Sequence, residues 1–82
     1  MASKIDEVIQ QIVLNGPIPS TELAEICGKS HKTLLREVNP EDKKAKLGAE
    51  TLMKIMEVTG IIEPLKIMAQ ELNFDLVPEE DK

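Results

Sequence analysis

Aromatic side chains are almost missing: Phe74 stands alone, with no Trp and no Tyr. Proteins that hold unpaired bases stack them on aromatic faces, so the composition argues against a reader of single-stranded RNA or DNA. Cysteine is as scarce. Cys27 has no second thiol to pair with in its own chain, which points to a reducing compartment. With one His and one Cys, a zinc site built from nitrogen and sulfur ligands cannot close. No apolar run approaches the ~18 residues of a membrane span. Nor does a basic segment followed by an apolar one open the chain, so no secretory signal is expected. The expected location is cytoplasmic, with no membrane partner.

What is present is aliphatic. Apolar residues make up 41% of 82 residues, enough for one modest core filled by Ile, Leu, Val, Met and Ala. That palette suits helix against helix. The expected organisation is a single helical domain over 1–77, followed by an acidic, disordered tail at 78–82. The net charge is −5, which taken whole repels nucleic acid. Its distribution is uneven. Residues 29–46 hold six basic groups (Lys29, Lys32, Arg36, Lys43, Lys44, Lys46) against three acids, net +3, which leaves −8 on the remainder.

Apolar spacing predicts five helices and an all-α fold. Ile5, Val8, Ile9 and Ile12 share one face of a first helix over 3–14, capped by Ser3 and stopped by Asn15-Gly16-Pro17 with Gly16 in the left-handed conformation. A second starts near Ser20, whose hydroxyl is placed to cap it, buries Leu23, Ala24 and Cys27, and ends at Gly28. A third starts at the cap Ser30, turns Leu34 and Val38 inward, and ends at Asn39-Pro40, because the residue before Pro leaves helical geometry. Residues 39–48 read as a charged loop. A fourth helix spans about Ala49 to Thr59, with Leu52, Ile55 and Met56 inward, and Gly60 breaks it. A fifth begins near Ile62 with Pro64 in its first turn and an inner face of Leu65, Met68, Ala69 and Leu72. Phe74 to Val77 could pair as a short edge strand.

Two short helices meeting at Gly28 make a helix-turn-helix at about 20–39. Gly28 permits positive φ at no steric cost. Ala24 is small where the third helix crosses. With Leu34 and Val38 turned inward, His31, Lys32, Thr33 and Arg36 point outward. A helix N-terminus is partially positive and favours acids by about 0.3–1 kcal/mol each. The first two helices obey this, yet Lys29, His31 and Lys32 crowd the start of the third. Such a choice suits a negative partner, and double-stranded DNA supplies one.

The run Ala24-Glu25-Ile26-Cys27-Gly28-Lys29-Ser30-His31-Lys32-Thr33-Leu34 resembles the lambda-repressor-like helix-turn-helix pattern A-E-x-x-G-x-S-x-x-T-L. Leu34 to Asp42 looks like the L-R-x-K-L-N-P-E segment of phage regulatory CII-type proteins. Lys46-Leu47-Gly48, then Ile55 to Gly60 and Pro64-Leu65, are similar to that family's K-L, I-M-E-x-T-G and P-L. The resemblance covers roughly residues 20–73. It implies a phage or prophage regulator of the lysis–lysogeny decision, in the cytoplasm of a bacterial host, that binds operator DNA as an oligomer. The chain departs from the pattern at Leu35, where a polar residue is usual, at Glu37, where Lys is common, and at Ile61-Ile62, where polar residues often stand.

The candidate contacts follow. His31, Lys32 and Arg36 are placed for groove or phosphate, and Arg36 can take guanine in a bidentate fork. Thr33 either touches a thymine methyl or packs. Ser30 caps and can also meet phosphate, as can Lys29. Ser20 and Thr21 start the helix that lies across the DNA backbone in this motif. Lys43 and Lys44, with Lys46, form a loop cluster open to phosphate or to solvent alone. Leu35, Ile61, Ile62, Ile67, Leu76 and Val77 exceed what one face per helix buries, so they enlarge the core or form a homodimer seam. No Ser/His/Asp set, phosphate-cradling Gly loop or metal cluster is visible, so neither an enzyme, a cofactor nor a small-molecule substrate is expected. The competing reading is a helical protein-interaction module, an anti-repressor or adaptor, favoured by the acidic net charge, Leu35 and Glu37.

Overall fold

The computed structural model describes residues 4–42 and 44–79. Five helices follow one another: α1 (Lys4–Asn15), α2 (Ser20–Ile26), α3 (His31–Val38), α4 (Ala49–Thr59) and α5 (Glu63–Glu71). The fold is a compact all-helical globule. Ser3, expected as the first cap, and residues 80–82 of the expected tail lie outside the described residues.

Helix α1 is the hub. It packs against α2, α3 and α5. Its Ile9, Ile12 and Val13 join Leu23 and Ala24 of α2, Leu34 and Val38 of α3, and Ile55 of α4 in one buried cluster. Val13, Leu23, Leu34 and Ile55 are sealed from solvent. Val13 extends the stripe expected on α1. Leu35, Leu52, Val58 and Ile61 pack half-buried around the cluster. Of the apolar surplus, Ile67 is thus buried and Leu35 and Ile61 partly so, while Ile62, Leu76 and Val77 stay exposed.

The turn at Gly28 is made by backbone alone. Gly28 N–H donates to Glu25 O (3.1 Å) and Lys29 N–H to Ala24 O (2.9 Å), with Gly28 at φ +71. This is a Schellman closure, which satisfies carbonyls that the end of α2 would otherwise leave open. The end of α5 repeats it with Asn73 at φ 65: Phe74 N–H reaches Ala69 O (2.8 Å) and Asn73 N–H reaches Gln70 O (3.2 Å). At the end of α4, Gly60 is left-handed, and the Thr59 hydroxyl donates to Ile55 O (2.7 Å) and accepts from Ile61 N–H (3.2 Å).

Four expectations need correction. Gly16 is not left-handed; a Cβ there would run into the carbonyl oxygen of Ile12, so glycine serves close approach rather than handedness. Ser20 does not cap α2. Pro19 is the cap residue, its carbonyl accepting from Leu23 N–H (2.9 Å), and no side chain caps. Helix α5 buries Pro64, Ile67 and Ala69, whereas Leu65 and Leu72 face solvent. Its polar residues Glu63, Lys66 and Gln70 share one side, but apolar spacing does not choose Ile67 over Leu65 and Leu72, and packing on α1 does. Phe74 to Val77 form no strand.

Truncating Ile55 to Ala should cost about 2–5 kcal/mol in urea unfolding, the range for a large-to-small change in a sealed core. Gly28→Ala should cost about 1 kcal/mol through the left-handed backbone alone, since open space surrounds the added methyl. Equal stability of the wild type and either variant would contradict this account.

Candidate nucleic-acid interface

Helices α2 and α3 pack on each other through Leu23, Ala24 and Leu34, joined by residues 27–30. Ser30 caps α3 as its sequence suggests. Its hydroxyl oxygen accepts from Thr33 N–H (3.1 Å) and its O–H donates to Thr33 Oγ1 (2.8 Å). The first turn of α3 contains no acid. At the other end Asn39 is extended, with ψ 113, and its Oδ1 accepts from Glu41 N–H (2.9 Å). Serine at one end and Asn-Pro at the other therefore fix the eight residues of α3.

The outer face of α3 is His31, Lys32, Thr33 and Arg36, all exposed. Lys32 has no hydrogen-bond or ion-pair partner among the described residues. His31 Nε2 lies 2.8 Å from Ser20 Oγ, a hydrogen bond that ties the first residue of α2 to the first of α3. The Ser20 hydroxyl thus links two helix starts rather than closing one. Thr21 is exposed beside it.

Two candidate cations are held by carboxylates. Lys29 Nζ lies 3.1 Å from Glu37 Oε2, with both side chains largely covered. The family-like position occupied by Glu37 therefore turns toward Lys29 and the end of α2, and does not share the exposed face with Lys32 and Arg36. Glu37 Oε1 is buried with no hydrogen-bond partner among the described residues. Arg36 Nε donates to Asp42 Oδ2 at 3.0 Å. The other oxygen of Asp42 accepts from Lys44 N–H (3.0 Å) and Ala45 N–H (3.2 Å), which anchors the carboxylate in the loop. The Arg36 guanidinium first, then these backbone groups, hold the Asp42 carboxyl below the usual aspartate range. Sequence reasoning counted Asp42 only as a charge. The Asn-Pro-Glu-Asp turn was the available signal, but a pairing six residues apart across a helix end obeys no helical period.

Lys44 and Lys46 are exposed in the loop. Lys43, also a candidate contact, lies outside the described residues. Cys27 is half-buried against the core, and burial pushes its thiol up, partly offset by Lys29 and Lys54. Among the described residues no three His, Cys, Asp or Glu gather as metal ligands, and no helix is long and apolar enough to cross a membrane.

A hub helix carrying two short, tightly turned helices, the second with a cationic outer face, defines a small helical module. A sequence profile of the phage regulatory protein CII (CP76) family matches residues 3–82, and the chain belongs to that family of phage regulators. The match extends beyond residues 20–73 to take in α1 and the segment after α5. No curated protein and no solved structure matches the chain.

Removing the Ser30 hydroxyl (Ser30→Ala) should destabilise the fold by about 1 kcal/mol, the common value for an N-cap, read as a lower urea midpoint at unchanged slope. Asp42 should titrate below an ordinary aspartate. Because its folded pKa is depressed, its contribution to stability is complete above the unfolded-chain value and is lost as pH falls through the folded value. Carboxyl-carbon NMR should show this, and Arg36→Ala should move the midpoint back up.

Proposed function

We propose that the chain is a phage or prophage transcriptional regulator that binds operator DNA through the helix-turn-helix of α2 and α3 and acts in the lysis–lysogeny decision. The observation that carries this is the outer face of α3: Lys32 unpartnered among the described residues and Arg36 half-exposed, on a helix whose first turn has no acid. In this reading α3 lies in the major groove. Lys32 and Arg36 meet base edges or phosphate, and His31 and Thr33 flank them. Ser30 and Thr21 meet phosphate at the helix starts, while Ser20 acts through its bond to His31. Lys44, Lys43 and Lys46 add backbone contacts from the loop. Lys29 serves the turn by pairing with Glu37. The chain works as one domain in the host cytoplasm, without cofactor or catalysis.

The partner chain in this reading is a second copy. Ile62, Leu65, Leu72, Phe74, Leu76 and Val77 leave apolar surface exposed on α5 and the segment after it. Such surface on a small domain suits association, and helix-turn-helix dimers read two half-sites about one helical turn apart. The net charge of −5 favours the other reading, an anti-repressor or adaptor that kept the fold and meets a protein instead.

Fluorescence anisotropy against a duplex from the DNA flanking the gene separates them. The regulator should bind with log affinity falling linearly in log salt, and a Lys32→Ala/Arg36→Ala double variant should lose the site with its helical spectrum intact. No binding to that duplex or to a random-sequence pool at low salt would sink the regulator and leave the adaptor. Light scattering on an eluting peak should give twice the chain mass at high concentration; a clean monomer there would remove the dimer.

A further inference from the structure

The contact between Arg36 and Asp42 has a definite shape. Only Nε of the guanidinium is engaged, by Asp42 Oδ2 at 3.0 Å. The side chain makes no other hydrogen bond among the described residues, so both Nη groups are open, and more than half of the Arg36 side chain is exposed. The carboxylate itself cannot wander, since its Oδ1 receives two backbone N–H groups of its own loop. The end-on edge of a guanidinium, one hydrogen from each Nη, is the edge that matches O6 and N7 of guanine. A free arginine must order a long, flexible side chain on binding. One held by Nε has fewer rotamers to lose.

We propose that Asp42 is a positioning residue for base reading: it grips the Arg36 guanidinium by Nε and presents the two Nη groups to the groove as a ready fork for guanine. The inference rests on the DNA-binding reading above and assigns Asp42 a role within it. A carboxylate near the groove also repels phosphate. Asp42 therefore lowers affinity for all DNA while sharpening the difference between one sequence and another. A decoy carboxylate, one that blocks Arg36 until DNA displaces it, would occupy the fork, and this one leaves the fork free.

The replacement that isolates the contact is Asp42→Asn. Its Oδ1 still accepts from Lys44 and Ala45 N–H, so the loop is kept, but the charged acceptor for Nε is gone. The probes are a duplex selected from a random pool by the wild-type protein, and a scrambled duplex of the same composition. The ratio of the two affinities is the readout. Asp42→Asn should reduce that ratio by about tenfold, within the range for one bidentate base contact, while affinity for the scrambled duplex rises about two- to threefold as a negative charge is lost. In an Arg36→Lys background, where no fork exists, the same change should leave the ratio unaltered. The Arg36 Nε–H resonance of the free protein should be sharp and slow to exchange, and should broaden in Asp42→Asn while the Lys44 and Ala45 amides hold their shifts. Equal gains on both duplexes in Asp42→Asn would make Asp42 a repelling charge or a decoy and overturn the positioning role alone. Full discrimination retained in Arg36→Lys would overturn this proposal and leave DNA binding standing, whereas no duplex bound by the wild type would overturn the DNA reading and this proposal together.

Discussion

The Lys29 N–H can reach back to Ala24 O only while Gly28 holds a positive φ. That backbone bond ends α2 and fixes the direction in which the chain leaves it, and α3 follows two residues later under the Ser30 cap. Everything on the outer face of α3 inherits its orientation from this turn. Leu34 can seal against Leu23 and α1 only if α3 starts where Ser30 stops the turn, and with Leu34 inside, Lys32 and Arg36 must lie outside. The same turn carries the Lys29 side chain to Glu37 in the last turn of α3, so Lys29 is tied to α2 by its backbone and to α3 by its charge.

The charges of the α2–α3 unit have sorted themselves by side. Glu37, the one acid of α3, is directed inward to Lys29. Lys32 has no partner among the described residues, and Arg36 is held at one edge. A chain of net −5 thus assembles a local cationic surface by arrangement rather than by composition. Other acids sit in first turns, Asp6 and Glu7 in α1, Glu22 in α2, Glu50 in α4 and Glu63 in α5, where helix dipoles favour them.

Where the sequence carries local chemistry, its reading and the structure agree. Ala49 to Thr59 was legible to the residue, because Gly60 can adopt a left-handed stop and the apolar spacing runs unbroken before it. Helix α3 was legible from Ser30 and Asn39-Pro40. The start of α2 at Ser20 was legible but its cap was not: Pro19 is the cap residue, and the Ser20 hydroxyl bonds His31, eleven residues on. Gly16 looked like a left-handed stop, but its reason is the Ile12 carbonyl, which only the closing turn of α1 brings near. The buried face of α5 and the two pairings, Lys29 with Glu37 and Arg36 with Asp42, depend on tertiary geometry across a turn or between helices. No period in the sequence encodes them.

The brevity of α3 has a consequence of its own. Eight residues at 1.5 Å each span about 12 Å, and base pairs stack every ~3.4 Å. A helix of this length laid in a groove can inspect about four base pairs. Four base pairs recur by chance roughly every few hundred in any genome, far too often to mark one address among the millions of competing positions. For a groove reader of this build, the information in one subunit is insufficient, and an address must be spelled by several copies reading together at fixed spacing.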